Sequence, residues 1–424
     1  MANIIPFQAW HYHPILWPSL KNLVAPLADN LSDKEIKHLF QNPRNSIHLT
    51  PISIKLETDH AAKKLSEWKS KNILVQDTSP GIYVFYQNYK FKGETYCLKG
   101  FVALIDLRDS KAILRHEDTL DTPVKNQVKL LKQTQLQPNP THGLYEDPSF
   151  RLEPLMDQAM SSPLFEFENQ DGVKESIAVI NDPQSIAKFI QVMESQTIIL
   201  ADGHHRLEGA IAHQKLLQPQ TGASKNEAFN YHMMYFTNGS SNQLKILPTH
   251  RLFRNLEIAQ EDIVTRLEKF FNIKKLNSPR DINNFPLVTN WSFLLLFKEA
   301  AYFVQLRPES FRAFPTKSPE AVKNLDLSVL HHFFVEQILG IPKMKQTNSD
   351  KISYERDMEQ CFKQVKSGKA TLAVFTREIS IQEVIAVCKS GSTMPQKSTY
   401  FYPKTLTGLL FYSIEQKDIN FPYI

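Results

Sequence analysis

Residues 197–217 read TIILADGHHRLEGAIAHQKLL. A short apolar stretch leads into a polar turn with a single glycine. Beyond the turn, Leu207, Ala210, Ile211, Gln214 and Leu217 fall near one face of a helix. A buried strand that hands over so abruptly to an amphipathic helix confines the chain to folds in which helices cover a sheet.

The rest of the sequence fits that constraint without strict βαβ regularity. Helices are predicted after Ser32 (SDKEIKHLF, with Glu35 completing a capping box) and over 60–71, 123–137, 184–194, 206–217, 325–339 and 381–391. Strands are predicted around Ile82, Val84 and Tyr86, and over 101–107, 197–200, 228–236 and 369–376, with a hairpin pairing 291–297 with 301–307. The segment QPNPTHGLYEDPS (137–149), with its three prolines, reads as a turn-rich break. The expected class is α+β (mixed α/β). Three regions are expected: an N-terminal α/β region over 1–130, a core with the ADGHHR turn over 131–290, and a C-terminal α/β region over 291–424.

Composition excludes several classes. With 42% hydrophobic and 11% aromatic residues in 424, the chain can build a large core and is not disordered. The net charge of +5 is spread along the chain among acidic residues, with no basic stripe that would call for nucleic acid. Three widely spaced cysteines form no CxxC pair and read as buried thiols in a reducing compartment. No apolar run of about 18 residues is present, and the first residues carry no secretory pattern. A cytoplasmic protein is expected, with no membrane partner and an open oligomeric state.

The turn itself carries the chemistry. At a strand–helix junction, unpaired amides and the positive end of the helix dipole attract anions. Gly203 admits a ligand or a positive φ. Arg206 offers a planar fork for phosphate, and His204 and His205 can donate, accept or shuttle protons near neutral pH. Asp202 can cap the helix, orient a histidine or hold Mg²⁺. Read singly, Asp202 is as readily a plain cap and His205 a structural histidine; the joint pattern favours an anion site. Neither a P-loop nor a Rossmann fingerprint occurs.

ADGHHR resembles the DGHHR signature of the ParB/sulfiredoxin superfamily, which includes chromosome-partition CTPases, sulfiredoxin and free-serine kinases. The resemblance implies a ParB/sulfiredoxin-like core, elaborated at both ends, whose strand–turn–helix binds nucleotide phosphates. His204 stands where sulfiredoxin has its reactive cysteine, which argues against sulfinic-acid repair. The serine-kinase spelling is the most similar. Almost the whole chain is also similar to a prokaryotic family of unknown function, number 1015 in the domain-of-unknown-function series. Its landmarks here are IIPF (4–7), APLAD (25–29), NPRNSIHL (42–49), HEDT (116–119), ADGHHR (201–206), LPTHR (247–251) and MPQKSTYFYPKTLTGLL (394–410). Two departures stand out. Many relatives read Pro-Pro-Tyr-Asp where Leu27 and Ala28 precede Asp29, and an Asp-Arg pair where Asn126 and Gln127 stand.

On this resemblance Glu117, beside His116, is the candidate general base. Arg251, Lys397 and Lys404 are added to Gly203 and Arg206 as phosphate or nucleotide contacts, with exposed polar turns and structural ion pairs as the plainer alternatives. The implied activity is a nucleotide-dependent phosphotransferase using Mg²⁺, held at Asp202, and ATP or ADP, with free L-serine as acceptor. Asp202, His204 and His205 would serve beside Glu117 in catalysis. The competing expectations are a nucleotide-binding regulator without efficient turnover, and a degenerate member that binds no nucleotide.

Overall fold

The computed structural model describes residues 2–51, 59–221, 227–315, 318–346, 349–395 and 397–415. The chain forms two compact units, neither of them one continuous stretch. The first comprises Met1–Arg115, Thr119–Lys245 and Pro403–Ile424; the second comprises His116–Asp118 and Ile246–Tyr402. The segment limit expected at 130/131 falls inside the helix Asp121–Thr134.

The first unit is built on a mixed sheet of nine strands among the described residues. Its order is Ile113–Leu114, Ile198–Asp202, Thr141–Tyr145, Tyr231–Asn238, Glu94–Asp106, Ile82–Phe91, Lys174–Ile180 and Phe165–Glu168, with Ile4–Ile5 also paired to Glu94–Asp106. Ile198–Asp202 runs parallel to Ile113–Leu114 and antiparallel to Thr141–Tyr145. Thr141–Tyr145 runs parallel to Tyr231–Asn238. Phe101, Phe189, Phe236 and Tyr145 knit the middle of this unit together through ring contacts of 4.8–6.0 Å. The capping box at Ser32 and Glu35 is present.

The proline-rich break contains the strand Thr141–Tyr145, every residue of it buried. Pro138 and Pro140 stand before its first residue, where a missing N–H costs no ladder bond. Two smaller corrections follow: Ala228–Asn230 is a 3₁₀ turn, so the strand spans Tyr231–Asn238, and Cys97 is half-buried, whereas Cys361 and Cys388 are buried.

The second unit holds an antiparallel sheet ordered Phe271–Lys275, Ala301–Leu306, Ser292–Leu296, Leu372–Phe375, His250–Phe253 and Ile352–Glu355. The expected hairpin supplies its second and third strands. WSFLLLF is apolar without alternation because both faces are covered. Phe293 and Leu295 join Phe333, Phe334 and Ile338 on one face, while Leu294 and Leu296 join Cys361, Phe362 and Val365 on the other. The helix expected over 325–339 begins as α-helix at Asp326–Val329, but Leu330–Ile338 is a π-helix.

No helix among the described residues is long and apolar enough to cross a membrane.

Candidate functional site

The strand Ile198–Asp202 ends at Asp202, and the helix His204–Thr221 begins two residues on. Gly203 makes the corner at φ +92°. A Cβ there would stand 2.6 Å from Thr141 Cγ2 and 2.9 Å from Arg206 Nη2. Glycine is therefore required twice over, by backbone conformation and by space. The Gly203 carbonyl accepts the first helical bond, from the Leu207 amide at 3.0 Å. Gly203, not Asp202, is the cap residue, and the amides of 204–206 have no acceptor within the helix.

Asp202 lies between two cations. Oδ2 accepts from Arg206 Nη2 at 2.7 Å, and Oδ1 is bonded to Lys404 Nζ. Burial alone would raise the Asp202 carboxyl, but the Lys404 and Arg206 charges outweigh it and hold the group well below the usual carboxylate range. Such a carboxylate stays ionised and is a poor proton acceptor. With both oxygens engaged by cations, it offers no open position to Mg²⁺, so the residues present do not fit a metal ion at Asp202. Among the described residues no group of three or more His, Cys, Asp or Glu is arranged to hold a metal.

Arg206 is likewise engaged. Beyond Asp202, its Nη1 donates to the Pro140 carbonyl at 2.6 Å. The fork expected for phosphate is thus closed on the protein itself in this conformation. His205 Nε2 accepts the Leu120 amide at 3.1 Å, just ahead of the helix Asp121–Thr134. This bond ties the turn to the start of that helix. His204 is buried. Two further histidines lie behind the turn: His142 Nε2 is 2.8 Å from Thr237 Oγ1, and His232 Nε2 is 3.0 Å from Thr141 Oγ1. Burial, with the Arg206 charge adding to it, pushes both down to about 3, so both are neutral at physiological pH.

A small cleft opens in front of Arg206, lined by Leu27, Ala28, Asp29, Thr50, Pro51, Gln127, Pro138 and Asn139. Its volume of about 20 Å³ is enough for one water. Sequence reasoning did not select Asp29, Thr50, Gln127 or Asn139 as site residues. The signals available were the Asp that ends APLAD and the two departures from relatives. Leu27, Ala28 and Gln127 all belong to this lining.

The remaining candidates lie in the second unit. His116 Nε2 is 2.8 Å from Thr399 Oγ1, Thr393 Oγ1 donates to Asp118 at 3.3 Å, and the Met394 amide donates to the His116 carbonyl at 2.8 Å. The HEDT and MPQKST landmarks therefore meet there. Glu117 is close enough for its charge to act on Tyr354. Arg251 is completely buried. It donates to the carbonyls of Thr249 and Lys397 and lies 5.5 Å from the Tyr354 ring centre. Lys397 is exposed, with its backbone in the left-handed region at φ +57°. Of the nine predicted site residues, Asp202, Gly203, His204, His205, Arg206 and Lys404 thus belong to the first unit, and Glu117, Arg251 and Lys397 to the second.

Solved structures resemble the chain only loosely. A free serine kinase in complex with AMP matches at a TM-score of 0.36 and 12% identity, over 73% of this chain and 91% of that one. A conserved hypothetical protein from Pyrococcus furiosus matches at 0.34 and 12%, over 71% and 90%. SbnI from Staphylococcus aureus, with a C-terminal truncation, matches at 0.38 and 11%, over 75% and 90%. Likeness at this level says nothing about the chemistry of the turn. No curated protein matches the sequence. The profile described as "Protein of unknown function (DUF1015)" matches residues 4–328, well over half of the chain, and the chain belongs to that family.

Proposed function

We propose that the first unit is a ParB/sulfiredoxin-like core that binds a nucleotide, ATP or ADP, at the cleft before Arg206. It passes a phosphoryl group to a small hydroxyl compound, with free L-serine the best candidate. The observation that carries this reading is convergence. Asp29 of APLAD, Thr50 next to NPRNSIHL, and Arg206 of ADGHHR are far apart in sequence yet line one cleft beside a helix N-terminus. Two cations flank the single carboxylate of Asp202, and Asp29 in the cleft balances their excess charge, so phosphate oxygens would be drawn by the guanidinium and the open amides of the helix N-terminus and not by net charge. Asp202 holds Lys404 and Arg206 in place. Asp29, not Asp202, is the carboxylate positioned to take a proton from an acceptor hydroxyl. Because the cleft admits only a water as it stands, phosphate binding requires Arg206 to turn from Pro140, or the walls at 27–29 and 50–51 to part.

A second reading, nucleotide binding without efficient turnover, is favoured by one observation. Leu27, Ala28 and Gln127 line the cleft, and all three are positions that the family resemblance of the sequence marks as departures. One experiment separates the two. The purified chain is incubated with ATP or ADP, Mg²⁺ and L-serine. Phosphoserine is followed by mass spectrometry, and nucleotide binding by calorimetry. Phosphoserine formation supports transfer, and binding without product supports the regulator. The absence of binding at about 1 mM nucleotide refutes both.

A further inference from the structure

The π-helix Leu330–Ile338 lies in the wall of a cavity of about 600 Å³ in the second unit. Its wide winding is seen in the Leu339 amide, which reaches back five residues to the Phe334 carbonyl at 3.0 Å. π-turns are rare and concentrate at functional sites. The volume is that of a site for a small organic ligand. Phe314, Tyr354 and Met394 supply apolar wall, and the Phe314 ring lies 4.9 Å from that of His332.

Among the described residues, two polar groups in this wall have no protein partner. His331 Nδ1 is 2.6 Å from Gln346 Oε1. Gln346 Nε2 donates to the Ile341 carbonyl at 2.9 Å, which fixes the amide with its oxygen toward His331. Nδ1 therefore carries the ring proton, an assignment made from the hydrogen-bond network. Burial, reinforced by the Arg251 and Lys343 charges, pushes His331 down to about 3, so the ring is neutral at pH 7. Its Nε2 is then a bare acceptor, buried and without a partner. One turn earlier, Ser328 is only 6% exposed, and its hydroxyl also has no partner. Native proteins seldom leave buried polar atoms unpaired, and those left so call for an explanation such as a ligand. His331 and Ser328 lie one turn apart on one helical run and both line this cavity, and their unpaired atoms are closed to water as the wall stands, so a ligand meets them by displacing part of it.

The charges narrow the ligand. Asp118 and Glu336 are set against Lys343 in the lining, so there is no cationic excess for a polyphosphate. Glu336 is tied to His332 at 3.2 Å, and Asp118 accepts from Thr393 through only one oxygen. A flat, uncharged molecule with an N–H donor beside an acceptor, and a diol for a carboxylate, matches all of these groups.

We propose that this cavity binds a nucleobase or nucleoside, its N–H edge donating to His331 Nε2, its adjacent acceptor meeting the Ser328 hydroxyl, and its flat face against Phe314. The proposal does not rest on the reading of the ADGHHR turn, because a nucleoside lacks the phosphates that the turn would hold.

The test uses the full chain. Calorimetric titrations with adenosine, guanosine, cytidine and uridine are expected to give at least one dissociation constant below about 100 μM. Binding should be independent of Mg²⁺. Ser328→Ala and His331→Phe should each weaken it about tenfold, and His331→Gln, which restores an acceptor, should recover part of the loss. A photoreactive azidoadenosine should label peptides within 314–346 or 393–395, a readout that needs no variant. Failure of all four nucleosides to bind at about 1 mM overturns the proposal, as does labelling only outside these peptides, or full affinity in both variants. Binding of ATP without any binding of adenosine also overturns it, while leaving the reading of the turn intact.

Discussion

Replacing Glu175 by glutamine is expected to stabilise the protein at neutral pH, and the size of the gain can be worked from the sheet. Glu175 belongs to the strand Lys174–Ile180, opposite Gln87 on one neighbour and Phe167 on the other, and is fully buried. Oε1 accepts from Asn169 Nδ2 at 2.8 Å and, more weakly, from Gln87 Nε2 at 3.5 Å. Oε2 has no partner. Burial pushes the carboxyl from its ordinary 4.5 up to about 8, against the smaller opposing effect of Gln87 and Asn169. The folded chain therefore keeps a proton that the unfolded chain has lost between those two pH values. Stability falls as pH rises through that window and levels off above about 8. At pH 7 the unfolded carboxyl is 2.5 units past its ordinary value of 4.5. At roughly 1.4 kcal/mol per unit, the penalty is about 3 kcal/mol.

Glu175→Gln keeps an oxygen for Asn169 and has no proton to lose. Urea unfolding followed by circular dichroism at pH 4.5, 6, 7 and 8.5 should give a variant that gains on the natural chain as pH rises. The gain should approach about 3 kcal/mol at pH 7 and stop growing beyond about pH 8. Any fixed cost of the new N–H beside Gln87 shifts all four points equally and leaves the slope untouched. A difference that does not change with pH would refute the reasoning, because Glu175 would then be ionised in the fold.

Three further perturbations probe the turn and its surroundings. Asp202→Asn strands Lys404 and Arg206 as adjacent, largely buried cations and should cost about 3–5 kcal/mol at pH 7; because Asp202 is held below its ordinary value of 3.8, the gap to the natural chain should close as pH falls below about 4, read by the same unfolding series. Gly203→Ala should destabilise by about 1–2 kcal/mol from the left-handed backbone alone, with the Thr141 methyl adding to it; pairing it with Thr141→Ser, which keeps the hydroxyl for His232, should recover only the steric part, and complete recovery would mean that φ is unimportant. Gly209→Ala places a methyl 2.5 Å from Gln127 Cβ, so it should push the helices Asp121–Thr134 and His204–Thr221 apart and lower the melting temperature by several degrees, measured by scanning calorimetry.

What the sequence disclosed follows from which interactions are local. The capping box at Ser32, the strand–turn–helix at Gly203 and the hairpin of the second unit are written in neighbouring residues, and each forms as read. Thr141–Tyr145 was hidden because its pattern is set by partners on either side of the sheet. With both faces covered and histidine bonded to Thr237, it needs no alternation, and its flanking prolines look like a break. The π-helix was hidden for a similar reason: its register depends on the core it packs into, and apolar spacing alone does not separate it from an α-helix.

The site divides along the same line. Gly203 could be read because backbone conformation is a local demand. The state of Arg206 could not, because it depends on Pro140, 66 residues away, and on an Asp202 that is itself held by Lys404, 202 residues away. A motif names the groups that meet a ligand but does not say whether they face it or each other. Here they face each other, and the cleft that remains is edged by Leu27, Ala28, Asp29, Thr50 and Gln127. The decisive variable is therefore the strength of the Asp202–Arg206 pair against a phosphate dianion, not the identity of the motif. If nucleotide binds through the Arg206 fork, and not by parting of the cleft walls, it releases at least one of the two Arg206 bonds, and Pro140 is the cheaper loss because a neutral carbonyl holds a guanidinium less strongly than a carboxylate does. Arg206→Lys tests this directly: a point charge can keep Asp202 but cannot span to Pro140 as a fork. That variant should fold with only a modest loss of stability and should weaken nucleotide binding no more than about tenfold if Pro140 is the partner given up. Loss of all binding would show instead that the fork itself grips the phosphate.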